Sequence, residues 1–99
     1  MNDKIRAKVV SMDYGLQEFE NLEMIRAKSK KHTLLIMKNY MPVIGELQGY
    51  VEFVFADHTI RMDNLKGYFM HKKNEFSLMV QQGDATPVEV PDEGAAYVE

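Results

Sequence analysis

The chain has 99 residues, 45% hydrophobic and 27% charged, proportions of a globular protein and not of a disordered or membrane-embedded one. So short a chain builds a single core, and zero cysteines exclude disulfides, thiolate metal sites and cysteine nucleophiles. Formal net charge is -3, but five of the 15 acids and none of the 12 bases fall in residues 84–99, so the body is nearly neutral, which argues against nucleic acid, where a clustered basic face would be expected.

No apolar run approaches the roughly 18 residues of a membrane span, and Met1-Asn2-Asp3-Lys4 does not begin an apolar signal core, so a cytosolic location without membrane insertion is expected. Ile5, Ala7 and Val9 alternate with Arg6 and Lys8, the period of a strand with one buried face. Leu16, Phe19, Leu22 and Ile25 then recur every three residues, as on a helix, although Leu22-Glu23-Met24 also alternates; the pattern alone leans to helix. Lys28, Lys30 and Lys31 mark residues 26–32 as a solvated turn or loop. The apolar run 33–37 is too short for an ordinary helix and reads as a strand buried on both faces.

Pro42 breaks any helix and biases Met41 to extended backbone. Residues 43–49 lead into two hairpins, with Gly45 and Gly49 marking bends or close approaches. The first runs 50–55, turns through Ala56-Asp57-His58 and returns along 59–62. The second runs 67–70, turns through Lys72-Lys73-Asn74 and returns along 76–80, the two being joined through Leu65-Lys66-Gly67-Tyr68. Their aromatic and β-branched content, with Asp, Asn and Gly between, is that of pleated strands joined by turns. From residue 84 on, Pro87, Pro91, Gly94 and unopposed acids cannot supply a core, so a body of 1–83 and a disordered acidic tail of 84–99 are expected.

Little in the sequence suggests catalysis. His32, His58 and His71 could in principle make a metal site with Asp57 or Asp63, but none has a metal-ligand spacing, and solvated surface histidines are the plainer reading. Ser11, Ser29 and Ser77 lack a nucleophile elbow, and no phosphate loop or dinucleotide fingerprint is present. No enzyme activity, metal or other cofactor is expected. Met24, Met37, Met41, Met62, Met70 and Met79 fall in or beside the expected strands, first as flexible core filler and second as an adaptable contact surface, for which Met41 is best placed.

Taken as one unit, residues 5–85 resemble a known family. Ile5-Arg6-Ala7-Lys8-Val9-Val10-Ser11 is similar to the first strand of the N-terminal β-sandwich of the F-type ATP synthase epsilon subunit. Tyr40-Met41-Pro42-Val43-Ile44-Gly45-Glu46-Leu47 falls where that family has a Gly-His-Ala-Pro-Leu loop, and Gln48-Gly49-Tyr50-Val51-Glu52-Phe53 where it has Pro-Gly and a strand. Leu65-Lys66-Gly67-Tyr68-Phe69-Met70-His71 resembles its Ser-Gly-Gly-Phe-Leu-Glu-Val, and Asn74-Glu75-Phe76-Ser77-Leu78-Met79-Val80 its Asn-x-Val-Thr-Val-Leu strand. The family's glycine-rich turn is replaced here by Lys28-Ser29-Lys30-Lys31-His32, its loop histidine by Tyr40, and one of its paired glycines is lost. Residues 84–99 do not resemble the helical hairpin that follows this domain in the family.

The resemblance implies an all-β fold, a small antiparallel sandwich of about eight to ten short strands, with 16–19 and 22–27 as two strands in place of a helix. Val9, Leu35, Val51, Phe53, Phe69, Phe76 and Leu78 are then expected in the core. It implies a non-catalytic domain that packs on the central shaft subunit and touches the membrane rotor ring, so that the protein would be peripheral to a membrane only through that complex. The implied partner-binding residues are Lys38, Asn39, Tyr40, Met41 and Pro42. The inhibitory and nucleotide-sensing roles of the helical hairpin are not implied. Two other readings stay open: a stand-alone adaptor that reuses the fold for an unrelated partner, and a small metal-dependent enzyme built on the histidines.

Overall fold

A computed structural model describes residues 4–83 and 85–90. They form eight strands: β1 (Ile5–Ser11), β2 (Gly15–Leu22), β3 (Met24–Lys28), β4 (Thr33–Met37), β5 (Val43–Val54), β6 (Thr59–Lys72), β7 (Glu75–Gln82) and β8 (Val88–Val90). The strands run in the order β2-β1-β7-β6-β5-β3-β4, with β8 also on β6. All pairs are antiparallel except β1 with β7.

This single hydrogen-bonded sheet folds over into the two layers of a sandwich. β7 pairs only with residues 66–72 of β6, while β3 pairs only with residues 51–54 of β5. One layer is therefore β2-β1-β7 with the late half of β6 and the early half of β5; the other is β8, the early half of β6, the late half of β5, β3 and β4. The long β5–β6 hairpin belongs to both, so Leu65-Lys66-Gly67-Tyr68 is the middle of one strand and not a link between two hairpins.

A bulge makes the crossing possible. Val51 pairs with Met62 but Gly49 pairs with Leu65, two steps on β5 against three on β6. The extra residue, with Asn64 at φ 58° and Gly49 at φ 136°, bends the hairpin and reverses which side chains face inward. Met62 and Leu65 are thus both buried although three apart.

The same device explains why residues 16–25 look helical. Ile5 pairs with Leu22 and Ala7 with Phe19, so β2 also carries an extra residue, at the left-handed Asn21 (φ 63°). Phe19 and Leu22 turn inward at a spacing of three because a bulge lies between them, and Leu16 faces outward, paired with Val10. Strand formation is as the resemblance implied.

The core is continuous between the layers. Ile5, Ala7 and Val9 of β1 meet Phe76 and Leu78 of β7, Leu47, Val51 and Phe53 of β5, Met62 and Phe69 of β6, and Ile25 and Ile36. Phe53 lies stacked on Phe19 at 4.8 Å between ring centroids and edge-on to Phe76 at 6.2 Å, tying strands of the two layers together.

Two expectations are corrected. Among the described residues β4 is an edge strand paired only with β3, and of its side chains only Ile36 is buried; Leu35, expected in the core, and Met37 face outward, 48% and 55% exposed. The chain beyond Gly83 also joins the fold further than its composition suggests. Ala85 is fully buried, and β8 adds to β6 at residues 59–61, an edge that β7 leaves unoccupied because it begins pairing at Lys66. The rest of the expected tail, residues 91–99, lies outside the described residues.

Gly67 is fixed by close approach: a Cβ there would sit 2.1 Å from the Met79 carbonyl oxygen, at the bulge where β6 and β7 change register. Gly67→Ala is expected to lower unfolding free energy by about 2 kcal/mol or more in a urea titration, since backbone must move to admit the methyl. A loss below about 0.5 kcal/mol would mean that β7 shifts freely at this point.

Candidate functional site

The loop 38–42, joining β4 to β5, is positioned from outside itself. The Tyr40 amide donates to the Met37 carbonyl at 3.1 Å and the Asn39 amide to Asn74 Oδ1 at 2.7 Å, while Asn74 Nδ2 donates back to Asn39 Oδ1 at 3.4 Å. Both asparagines have left-handed backbone, φ 64° and 61°, which this side chain tolerates better than most. Asn74 also accepts the Arg6 amide at 2.9 Å, so the loop, the β6–β7 turn and β1 share one hinge point.

The five expected binding residues do not all point outward. Met41 is 70% exposed, and Lys38, Asn39 and Pro42 are exposed as well. Tyr40 is half-buried against the core, its ring edge-on to His71 at 6.4 Å. Met41 is therefore the apolar tip of the loop and Tyr40 its root.

A larger apolar surface begins where the loop ends. On the outer face of the first layer, register places Leu16, Val10, Met79 and Tyr68 side by side across four strands, with Met70 and Ile44 paired in a neighbouring row. These side chains are 43% to 75% exposed, Ile44 the most. Ile44 follows the loop by two residues, so Met41 and this face are continuous along the chain. Sequence reasoning missed the face; its signal was that runs such as Tyr68-Phe69-Met70 and Leu78-Met79-Val80 are apolar in both phases of the alternation.

The methionines divide accordingly. Met62 is core, whereas Met12, Met37, Met41, Met70 and Met79 are exposed, which reverses the plainer expectation of core filler in favour of contact surface.

The outer face of the second layer carries an ionic row, with the exposed Leu35 and Met37 of β4 beside it. Glu52, only 4% exposed, accepts from Arg26 Nη1 at 2.6 Å and from Arg61 Nη1 at 2.7 Å, and Arg61 Nε donates to Asp63 at 2.8 Å. Tyr50 lies under the Arg61 guanidinium at 4.1 Å. Each charge is spent within the row.

The histidines lie apart from one another. His58 pairs with Asp57 at 2.7 Å and stacks on Phe55, and its hydrogen bond, with its charge, holds the Asp57 carboxyl below the usual carboxylate range. His32 is exposed in the β3–β4 turn. His71 contradicts the expectation of a solvated histidine: it faces the core at 0% exposure because β6 is in its inward phase there. Neither of its ring nitrogens has a hydrogen-bond partner among the described residues. No cluster of three or more His, Asp or Glu that could hold a metal ion occurs among the described residues.

No protein-family model matches the chain, and no curated protein matches it. In fold it is similar to a chain of the Tetrahymena thermophila mitochondrial ATP synthase central stalk and c-ring, determined by cryo-EM, with a TM-score of 0.63 at 17% identity. The match covers 80% of this chain and 64% of that one, so this chain spans less than two-thirds of its neighbour's length. The likeness is one of fold. Among the described residues no helix is long and apolar enough to cross a membrane.

Burial pushes the His71 imidazolium below its ordinary pKa of 6.5. Between 6.5 and the depressed folded value, the unfolded chain holds a proton that the folded chain does not, so stability falls as pH drops through this window. The slope is at most ~1.4 kcal/mol per pH unit. Urea midpoints at about pH 7.5 and about pH 5 should differ less in His71→Leu than in the parent chain, whose other groups titrate alike. Equal differences in the two proteins would show that His71 is not a source of acid sensitivity.

Proposed function

We propose that this chain is a non-catalytic, epsilon-like β-sandwich that binds protein partners in a rotary ATP synthase, packing on the central shaft subunit and reaching the rotor ring through the loop 38–42. The observation that carries the reading is the fold likeness to a central-stalk chain over 80% of the residues. The order of segments quoted above, from Ile5 to Val80, supports the epsilon subunit within that class. On this reading the protein is cytosolic and peripheral to a membrane only through the complex.

The surface suits binding more than catalysis. An apolar face that includes Tyr68 and two methionines, continuous with the exposed Met41, offers adaptable contact area, and Pro42 limits the conformations lost when the loop docks. Neither needs a cofactor. The stand-alone adaptor reading uses the same surfaces with a different partner.

The test is co-purification of the full chain with a rotary ATPase shaft subunit and ring. Recovery of the complex is the expected result; a folded chain that ignores both and retains an unrelated partner would establish the adaptor reading. Within the loop, Met41→Ser should weaken association roughly tenfold or more if Met41 is an anchor, with the melting temperature unchanged because the side chain is outside the core. Tyr40→Ala should lower the melting temperature as well, since its ring packs beside His71. Unchanged affinity in a folded Met41→Ser protein would remove the loop from the interface.

A further inference from the structure

The sandwich has two seams, where the outer strands of the two layers meet, and among the described residues only one is sealed. At the first seam Gln17 Nε2 of β2 donates to the Ala85 carbonyl at 3.1 Å, Tyr14 Oη lies 3.5 Å from Thr86 Oγ1, and Phe19 stacks on Phe53. At the second, β4 faces the early half of β5 across a groove of about 420 Å³. Leu34, Val43 and Phe69 line it with apolar surface, and Gly45 keeps it low, for a Cβ there would meet the Phe69 ring at 2.9 Å.

Two further features define what this groove can take. Residues 43–48 of β5 pair on one side with β6 and have no strand on the other among the described residues, so their backbone donors and acceptors along that edge are available for pairing. The lip is formed by Lys30, Lys31 and His32 of the β3–β4 turn, opposed by a single carboxylate, Glu46. This is a local basic excess on a chain of net charge -3.

We propose that the groove docks an extended acidic segment of a partner protein, added as a strand along the free edge of β5. The edge supplies backbone hydrogen bonds, alternate apolar side chains of the segment enter over Leu34, Val43 and Phe69, and its carboxylates meet Lys30 and Lys31. A second copy of this chain presenting the same edge would bring lysines against lysines, so charge complementarity selects a different, acidic partner. The site begins at Val43, directly after the loop 38–42, but its preference for an acidic strand does not depend on the rotor reading.

The probe is a short peptide alternating glutamate with valine, titrated into the full chain and followed by amide chemical shifts, with the lysine–valine peptide as its counterpart. The glutamate peptide is expected to move the amides of residues 29–32 and 43–46, more weakly at high salt. The double variant K30E/K31E should lose roughly tenfold or more in affinity, while K72E/K73E, which makes the same charge change in the β6–β7 turn, should lose far less. Both pairs are exposed, so preserved shift dispersion elsewhere verifies folding. Equal binding of the lysine peptide, no shift at residues 43–46, or unchanged affinity in K30E/K31E overturns the proposal. Shifts at residues 91–99 produced by K30E/K31E without peptide would identify the chain's own acidic end as the occupant and overturn it equally.

Discussion

The rest of the structure depends on the bend in the β5–β6 hairpin. Because β6 runs three residues from Met62 to Leu65 where β5 runs two, the side chains of β6 change phase midway and the hairpin passes from one layer to the other. Without that extra residue, Leu65, Phe69 and His71 would lie on the opposite face from Met62, and 14 residues of strand could not serve a single core. The other strands follow from it. β7, β1 and β2 attach in turn to the late half of β6, while β3, β4 and β8 attach to the early half and its partner.

Much of this was legible in the sequence, and what was not has a common cause. Alternation located β1, and aromatic and β-branched runs separated by Asp, Asn and Gly located β7 and both turns of the central hairpins; β1 and β7 each bury one face in strict period two. Residues 16–25 misled because a bulge at Asn21 inserts an odd step, which turns a strand period into an apparent helical one; only the resemblance restored the strands. Leu35 misled because an apolar run of five residues cannot announce whether it sits in the middle of a sheet or at its edge. Residues 85–90 were assigned to the tail because β8 is held by an edge that other strands leave vacant, a property of the assembled sheet and not of Val88-Glu89-Val90 itself. The loop 38–42 was legible from the resemblance, yet the inward turn of Tyr40 and the apolar face beyond Ile44 emerged only from register.

Of the four buried polar residues among the described ones, Glu52 and His71 are accommodated in opposite ways. Glu52 is on the outer side of its layer, covered by the two arginines that pair with it, so its charge is compensated and each arginine can still reach water. His71 is inside, with Tyr40 and Phe76 as ring neighbours and no hydrogen bond among the described residues. A leucine would fill comparable space without two unpaired nitrogens, whose desolvation costs on the order of 1–3 kcal/mol per unmade bond. These unpaired nitrogens lie beside Tyr40, at the root of the loop 38–42.

Exposed apolar surface and open strand edges are hazards for a β protein, and their arrangement here is uneven in an informative way. Part of the surface is spent on itself: in the second layer arginines cover Glu52, although Leu35 and Met37 stay exposed, and Gln17 and Tyr14 reach the segment before β8 to close one seam. The first layer does the reverse, leaving Ile44, Met70, Met79 and Tyr68 outward on strands whose opposite side chains already fill the core. Polar residues at those four positions would satisfy the strand period and cost the core nothing, so fold stability alone does not require them. The lysines at the open seam act on the same problem from the other side, since like charge keeps identical edges apart while leaving the edge available to a partner of opposite charge. Surfaces that the fold does not need, beside an open edge lined with lysines, are the observations on which the proposal of a protein partner rests.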